Sequence, residues 1–311
     1  MDLLKTDKPD WKDQQALKET MEDVKAQLSD FEDLAEQLES LNRSGEKHNL
    51  FSEDLMAKFK DLQKSFLYAS VSDAECPTDY AIYSVLYKTA AQEGIRYAIN
   101  GHTFRSEGTV PKSWSYFDGR YINSVHKKYG SKEIKSFPVM RMHEFIYYTL
   151  VKRIKDVRIL EYLDYNKKKV SKLLEKELDW VDYGGHHHEN AFTHFVQGYY
   201  LPTKFGIDKR KTEYSALVRS AQMKREDAIN EINNFDYNSE KYEITESLIE
   251  YCKSKLELSD DEFQKIMSAP HKTYLDFDTY YDIIKFLKLP MKIASQLGLI
   301  PLILHEKYAK I

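Results

Sequence analysis

From residue 17 onward, apolar side chains recur at alternating spacings of four and three: Leu17, Met21, Val24, Leu28, Phe31, Ala35 and Leu38. Glu, Asp, Lys and Gln fill the positions between them. This heptad seam predicts one long amphipathic helix over residues 11–42, stopped by Asn42-Arg43-Ser44-Gly45. The helix either packs on its own domain or forms a coiled-coil contact with another chain. A second helix is expected over 52–69, where Leu55, Phe59, Leu62 and Phe66 share a face and Ser52 and Asp54 suit the start. Pro77 opens a third over 78–93, with Ile82, Leu86 and Ala90 on one side, and Gly94 ends it. The apolar-rich run 95–99 has the length and bounds of a buried strand. It empties into NGHTFRSEGTVPKSWSYFDG, residues 100–119.

Beyond that loop the pattern predicts a helix over 142–155, a strand over 157–162 and a helix over 166–178 capped by Asn166. After Gly184-Gly185 the chain reads as mostly helical, over 220–232, 243–255 and 259–267. Ser259-Asp260-Asp261-Glu262 is a capping-box-like start. Residues 278–308 carry two helices broken at Pro290 and Pro301. The expected organisation is an N-terminal helical segment (1–50), an α/β domain (51–180) and a mainly helical region (181–311).

Composition narrows the function classes. In 311 residues, 42% hydrophobic and 31% charged content describes a globular chain, and a net charge of −4 makes no general case for nucleic acid or membranes. The lysine-rich stretches 152–155, 167–172 and 204–211 read as solvated faces, the last also as a phosphate contact. No apolar run approaches the roughly 18 residues of a membrane span, since 297–304 is broken by Gly298 and Pro301. The polar, acidic N-terminus is unlike a signal peptide. Cys76 and Cys252 form no metal pattern and point to a reducing compartment, hence the cytoplasm. The 23 tyrosines carry no assignable function.

Two blocks hold the chemistry. The first packs Gly101, His102, Arg105, Glu107, Gly108, Pro111, Trp114 and Asp118 into one span after a strand, where open α/β sheets place ligands. The second, residues 183–211, reads YGGHHHENAFTHFVQGYYLPTKFGIDKRK. Its histidines invite a metal reading, but consecutive residues point in different directions, and His187 and His194 have no zinc spacing. A phosphate- or carboxylate-binding loop is the other functional reading, with Gly-Gly admitting a ligand to the backbone and Lys204, Lys209, Arg210 and Lys211 supplying charge. Structural packing is the third. There is no GxSxG, GxGxxG or Walker-type sequence, and Ser44-Gly45-Glu46-Lys47 is a turn.

The run from Asp61 to Gly130, the block 182–211 with SALVRSAQMKREDAI after it, and HKTYLDFDTYYDIIKFLKLPMKIASQLGLIP at 271–301 together resemble the N-acetyl sugar amidotransferases. That family belongs to the PP-loop ATP pyrophosphatases and acts in bacterial surface-polysaccharide synthesis. The resemblance spans roughly residues 58–311. It implies an α/β fold with a partial PP-loop (adenine nucleotide alpha hydrolase-like) parallel sheet, a largely helical C-terminal region and the heptad helix in front. It implies ATP and Mg²⁺ activating the acetamido group of a nucleotide-linked N-acetyl sugar. Ammonia from partner glutaminase and channel subunits then yields an acetamidino group.

Site residues are implied by the same resemblance. His102, Arg105 and Glu107 would be catalytic: His102 near the nucleotide, Arg105 on phosphate or sugar acid, Glu107 on Mg²⁺ or a ligand hydroxyl. Gly101, Trp114, Asp118, Gly185, His187, Glu189, Lys209 and Arg210 would bind nucleotide or sugar, and no metal ligands are assigned. The family's SGGxDS phosphate loop and N-terminal cysteine pairs are missing from this sequence. Two alternatives follow: a split enzyme whose PP-loop comes from another chain, or a non-catalytic relative that keeps the sugar site and docks through residues 11–42.

Overall fold

A computed structural model describes residues 53–181, 187–233 and 246–296. The heptad seam at 11–42, Gly185 and the segment containing Pro301 lie outside them. Helix α1 (Glu53–Ala69) organises the packing. Leu62 and Phe66 are fully buried on one side, in a core shared with Tyr80, Tyr121, Ile122, Val125 and Phe145. Leu67 faces a second core, with Phe195, Val196, Tyr200, Phe263 and Ile266. One helix with two apolar stripes therefore stitches both cores, and each fully buried side chain of this size contributes about 1.5–3 kcal/mol.

Helix α2 (Cys76–Gln92) follows the Pro77 start, but its inward face differs from the expected one. Ile82 is 62% exposed and Leu86 40%, while Tyr80, Ser84, Tyr87 and Ala90 are buried. Polar tips with partners decide the rotation. Tyr80 Oη donates to the Met140 carbonyl at 2.7 Å, Ser84 Oγ accepts from Met140 N at 3.1 Å, and the Tyr87 ring meets Phe145 edge-on at 5.7 Å.

Strand β1 (Tyr97–Asn100) starts two residues later than its apolar run, and pairs in parallel with β2 (Lys155–Arg158) from Tyr97↔Lys155 to Asn100↔Arg158. Among the described residues this is a two-stranded sheet in a mostly helical α/β protein. Between the strands lie α3 (Gly119–Tyr129) and α4 (Met142–Ile146), and α4 widens into a π-helical turn over Tyr147–Val151. The expected helix 142–155 stops there because Arg153 turns left-handed (φ +58°), which frees Lys155 to begin β2. The expected strand 157–162 ends early in a 3-10 turn at Ile159–Glu161.

Helix α5 (Lys167–Leu178) is capped by Asn166, whose side chain accepts from Lys169 N. Then come α6 (Ala191–Phe195), a π-helical run Val196–Phe205 containing Pro202, α7 (Arg210–Arg219) and α8 (Arg225–Asn233). The expected helix from 220 begins at Arg225 instead, because Ala221 (φ +58°) makes a left-handed turn. Helices α9 (Glu246–Leu256) and α10 (Asp260–Ser268) complete the second core, and α10 carries the Ser259/Glu262 capping box. Helix α11 (Tyr281–Gln296) runs through Pro290 rather than breaking there; proline removes one backbone donor and bends a helix without having to end it. Tyr80, Tyr121 and Tyr200 explain part of the tyrosine content. Each buries its ring in a core and donates its hydroxyl, to the Met140 carbonyl, Asp73 and the Val71 carbonyl respectively.

Candidate functional site

The segment leaving the carboxyl end of β1 lines a cleft of about 2420 Å³. That exceeds a typical small-molecule pocket of about 300–1,000 Å³ and suits an extended ligand. His102 and Glu107 of the first sequence block line it together with His187, Glu189, Lys209 and Arg210 of the second. Two segments about eighty residues apart in sequence thus meet at one cleft.

The first block is held in place by side-chain bonds. Asn100 Oδ1 accepts from His102 N at 2.7 Å, fixing the turn out of β1. The His102 ring pairs with Glu107, whose other oxygen accepts from Thr103 N at 3.2 Å. Arg105 bonds the Leu163 carbonyl, and its own carbonyl accepts from Ser220 Oγ at 2.8 Å, so it ties the loop to neighbouring segments. Gly108 sits at φ +72°, and a Cβ there would lie 2.3 Å from the Thr212 carbonyl oxygen of α7. A methyl group on Gly101 would meet only open space, and the φ of that residue is ordinary.

Several residues singled out in the sequence are engaged elsewhere. Asp118 is buried as the N-cap of α3, accepting from Tyr121 N at 2.7 Å and Tyr280 N at 2.9 Å. Trp114 packs against the second core. Neither lines the cleft, nor do Gly101 and Arg105. Lys204 is buried and donates to the carbonyls of Ile266, Met267 and Ala269 at 2.6, 3.1 and 2.7 Å. It closes the C-terminus of α10, where orphan carbonyls and the helix dipole favour a cation. The His188 and His194 rings stack 4.1 Å apart.

The cleft also gathers charged groups that the sequence did not flag. Glu75 and Asp79 stand one helical turn apart at the start of α2 and both line it. Like charges at i,i+4 repel, so the pair was a signal available from sequence spacing. Surrounding protein pushes Asp79 up to about 6, Glu75 adds to the rise, and Lys209 and His187 oppose it. Burial lowers the Lys209 ammonium, and Glu75 and Asp79 pull it back. Neither the Lys209 ammonium nor the Asp79 carboxylate makes a hydrogen bond or ion pair among the described residues. By contrast Arg210 forks onto Asp208 at 2.9 and 2.7 Å, and Lys167 pairs with Glu213. The Lys209 ammonium thus sits in the field of two carboxylates with no direct bond to either, a position from which it can meet a ligand phosphate.

Magnesium triphosphate asks for more than this. It needs several open backbone amides or cations and hard oxygen ligands. Among the described residues no group of three His, Cys, Asp or Glu side chains is placed to hold a metal ion. Arg210 and Lys167 already hold carboxylates, and Gly108 is closed by Thr212. The described lining offers Glu75, Asp79 and Lys209 to such a group, and the sequence has no glycine-rich phosphate loop to cradle it.

Residues 189–290 match the family model described as LPS biosynthesis protein WbpG-like, C-terminal domain. The match supports the resemblance to a surface-polysaccharide biosynthesis family and a part in LPS biosynthesis. It runs from Glu189 through Lys209 and Arg210, the second wall of the cleft, to Pro290 in α11. No curated protein and no solved structure matches the chain. Among the described residues no helix is long and apolar enough to cross a membrane.

Proposed function

We propose that the cleft binds a nucleotide-linked N-acetyl sugar, and that the chain is the sugar-binding part of an amidotransferase that turns the acetamido group into an acetamidino group. The observation that carries this reading is the convergence of both sequence blocks on one cleft. There the Lys209 ammonium stands in the field of Asp79 and Glu75 with no direct bond to either among the described residues. Lys209 and His187 would take the diphosphate, a charge-assisted contact. Glu75 and Asp79 would accept from sugar hydroxyls. The His102–Glu107 pair at the carboxyl end of β1 would sit beside the acetamido group and manage its proton. The parallel β1–β2 pair is, in this reading, the retained part of a PP-loop sheet.

An amide oxygen is a poor leaving group, so the reaction requires ATP to activate it. This sequence has no SGGxDS loop, so in this reading the ATP-binding loop is supplied from outside these residues. Ammonia would come from glutaminase and channel subunits. The test is to incubate the chain with a UDP-linked N-acetyl sugar, ATP, Mg²⁺ and ammonium, with and without an SGGxDS-bearing partner. Mass spectrometry should detect exchange of the acetamido oxygen for an imino group with the partner present. Sugar-nucleotide binding without any such product would leave a non-catalytic binding subunit as the function.

A further inference from the structure

Helix α11 carries a feature that the cleft does not use. Ile284 is buried in the first core and Met291 packs against it. The opposite side is also apolar. Phe286 is 83% exposed and Leu289 66%, and Ile283, Leu287 and Ile293 are exposed with them. At about 100° per residue these five side chains share one arc, which Asp282 of the first turn interrupts at the helix's N-terminal end. Lys285, Lys288 and Lys292 follow one border of that arc, and Asp282 is the acidic residue of the helix. A chain with a net charge of −4 thus presents one helix with three lysines against one aspartate.

We propose that this face of α11 docks on an anionic lipid surface, lying in the interface with its apolar arc inserted and its lysines at the headgroups. Large apolar side chains on one side and lysines along the border are the composition of an interfacial helix. Protein–protein contacts are depleted in lysine, whereas lysine stems reach from an apolar surface to phosphate headgroups. The sequence continuing from the helix is also apolar, with Leu297, Leu299, Ile300, Leu302, Ile303 and Leu304. The proposal concerns a helix lying on the membrane, since no described helix can span one.

The test is co-sedimentation of the full chain with vesicles of phosphatidylcholine, with and without phosphatidylglycerol. The chain should pellet with the anionic vesicles, less with the neutral ones, and less as salt is added. Lys285→Glu with Lys292→Glu should weaken anionic binding by about thirtyfold or more. Phe286→Ser with Leu289→Ser should abolish binding to either vesicle while leaving the melting temperature unchanged, because both side chains face solvent. A chain that stays in the supernatant with anionic vesicles at low salt overturns the proposal, as does unaltered binding by the Phe286/Leu289 variant. So does a chain that is dimeric by ultracentrifugation, becomes monomeric in that variant and never pellets, which makes the face a contact between copies.

Discussion

Gly108 joins the first sequence block to α7, and Gly108→Ala tests whether that junction holds the cleft together. At φ +72° an alanine pays about 1–2 kcal/mol for a left-handed backbone. Its Cβ would stand 2.3 Å from the Thr212 carbonyl oxygen and 3.0 Å from its carbon, and backbone cannot rotate away as a side chain can. Displacing α7 adds about 1–3 kcal/mol, while reduced freedom of the unfolded chain returns about 0.5 kcal/mol. The net loss is about 2–4 kcal/mol, a melting-temperature drop of roughly 5–15 °C for a domain of this size. Gly101→Ala is the internal control. Its Cβ meets nothing within 4 Å and its φ is ordinary, so it should melt within about 2 °C of the wild type. Thermal melts followed by circular dichroism measure both. Equal melting temperatures for the Gly108 variant and the wild type would refute the reasoning.

Lys204→Met should cost about 2–4 kcal/mol in chemical denaturation, because three carbonyls at the end of α10 lose a cationic donor. Nucleotide-sugar affinity should stay unchanged, and a selective loss of affinity with normal stability would return Lys204 to the ligand site. Burial pushes Asp73 up to about 7 despite hydrogen bonds from Tyr121 and Tyr116. The folded state then binds the extra proton, so this contribution to stability is full below about pH 4 and is lost as pH rises through about 7. Asp73→Asn should flatten that part of the melting-temperature profile, and an identical slope in both proteins would count against the assignment.

Capping and punctuation were legible in the sequence. Asn166 caps α5, Ser259 and Glu262 box the start of α10, and Pro77 opens α2. Leu62 and Phe66 were rightly placed inward. The rotation of α2 was not legible, because aromatic rings with bonded hydroxyls outcompete aliphatic side chains for the inner face, and a hydrophobic scale ranks Ile82 above Tyr80. Nor was the role of Lys204, since a C-cap supplied from about sixty residues away leaves no local mark. Asp118 was singled out through the family resemblance, and its place as the N-cap of α3 is set by the fold. Glu75 and Asp79 were missed although their spacing was visible. Only the fold sets Lys209 against them.

The central claim is that the cleft binds a nucleotide-linked N-acetyl sugar with Lys209 at the phosphates. Calorimetric titration of the full chain with UDP-linked N-acetyl sugars, with UDP and with the free sugars tests it directly. The account predicts saturable binding of a nucleotide sugar, tighter than of UDP or free sugar, and about tenfold or more weaker in Lys209→Met at a temperature where circular dichroism shows both proteins folded. No heat with any nucleotide sugar, or equal affinity in Lys209→Met, would contradict it.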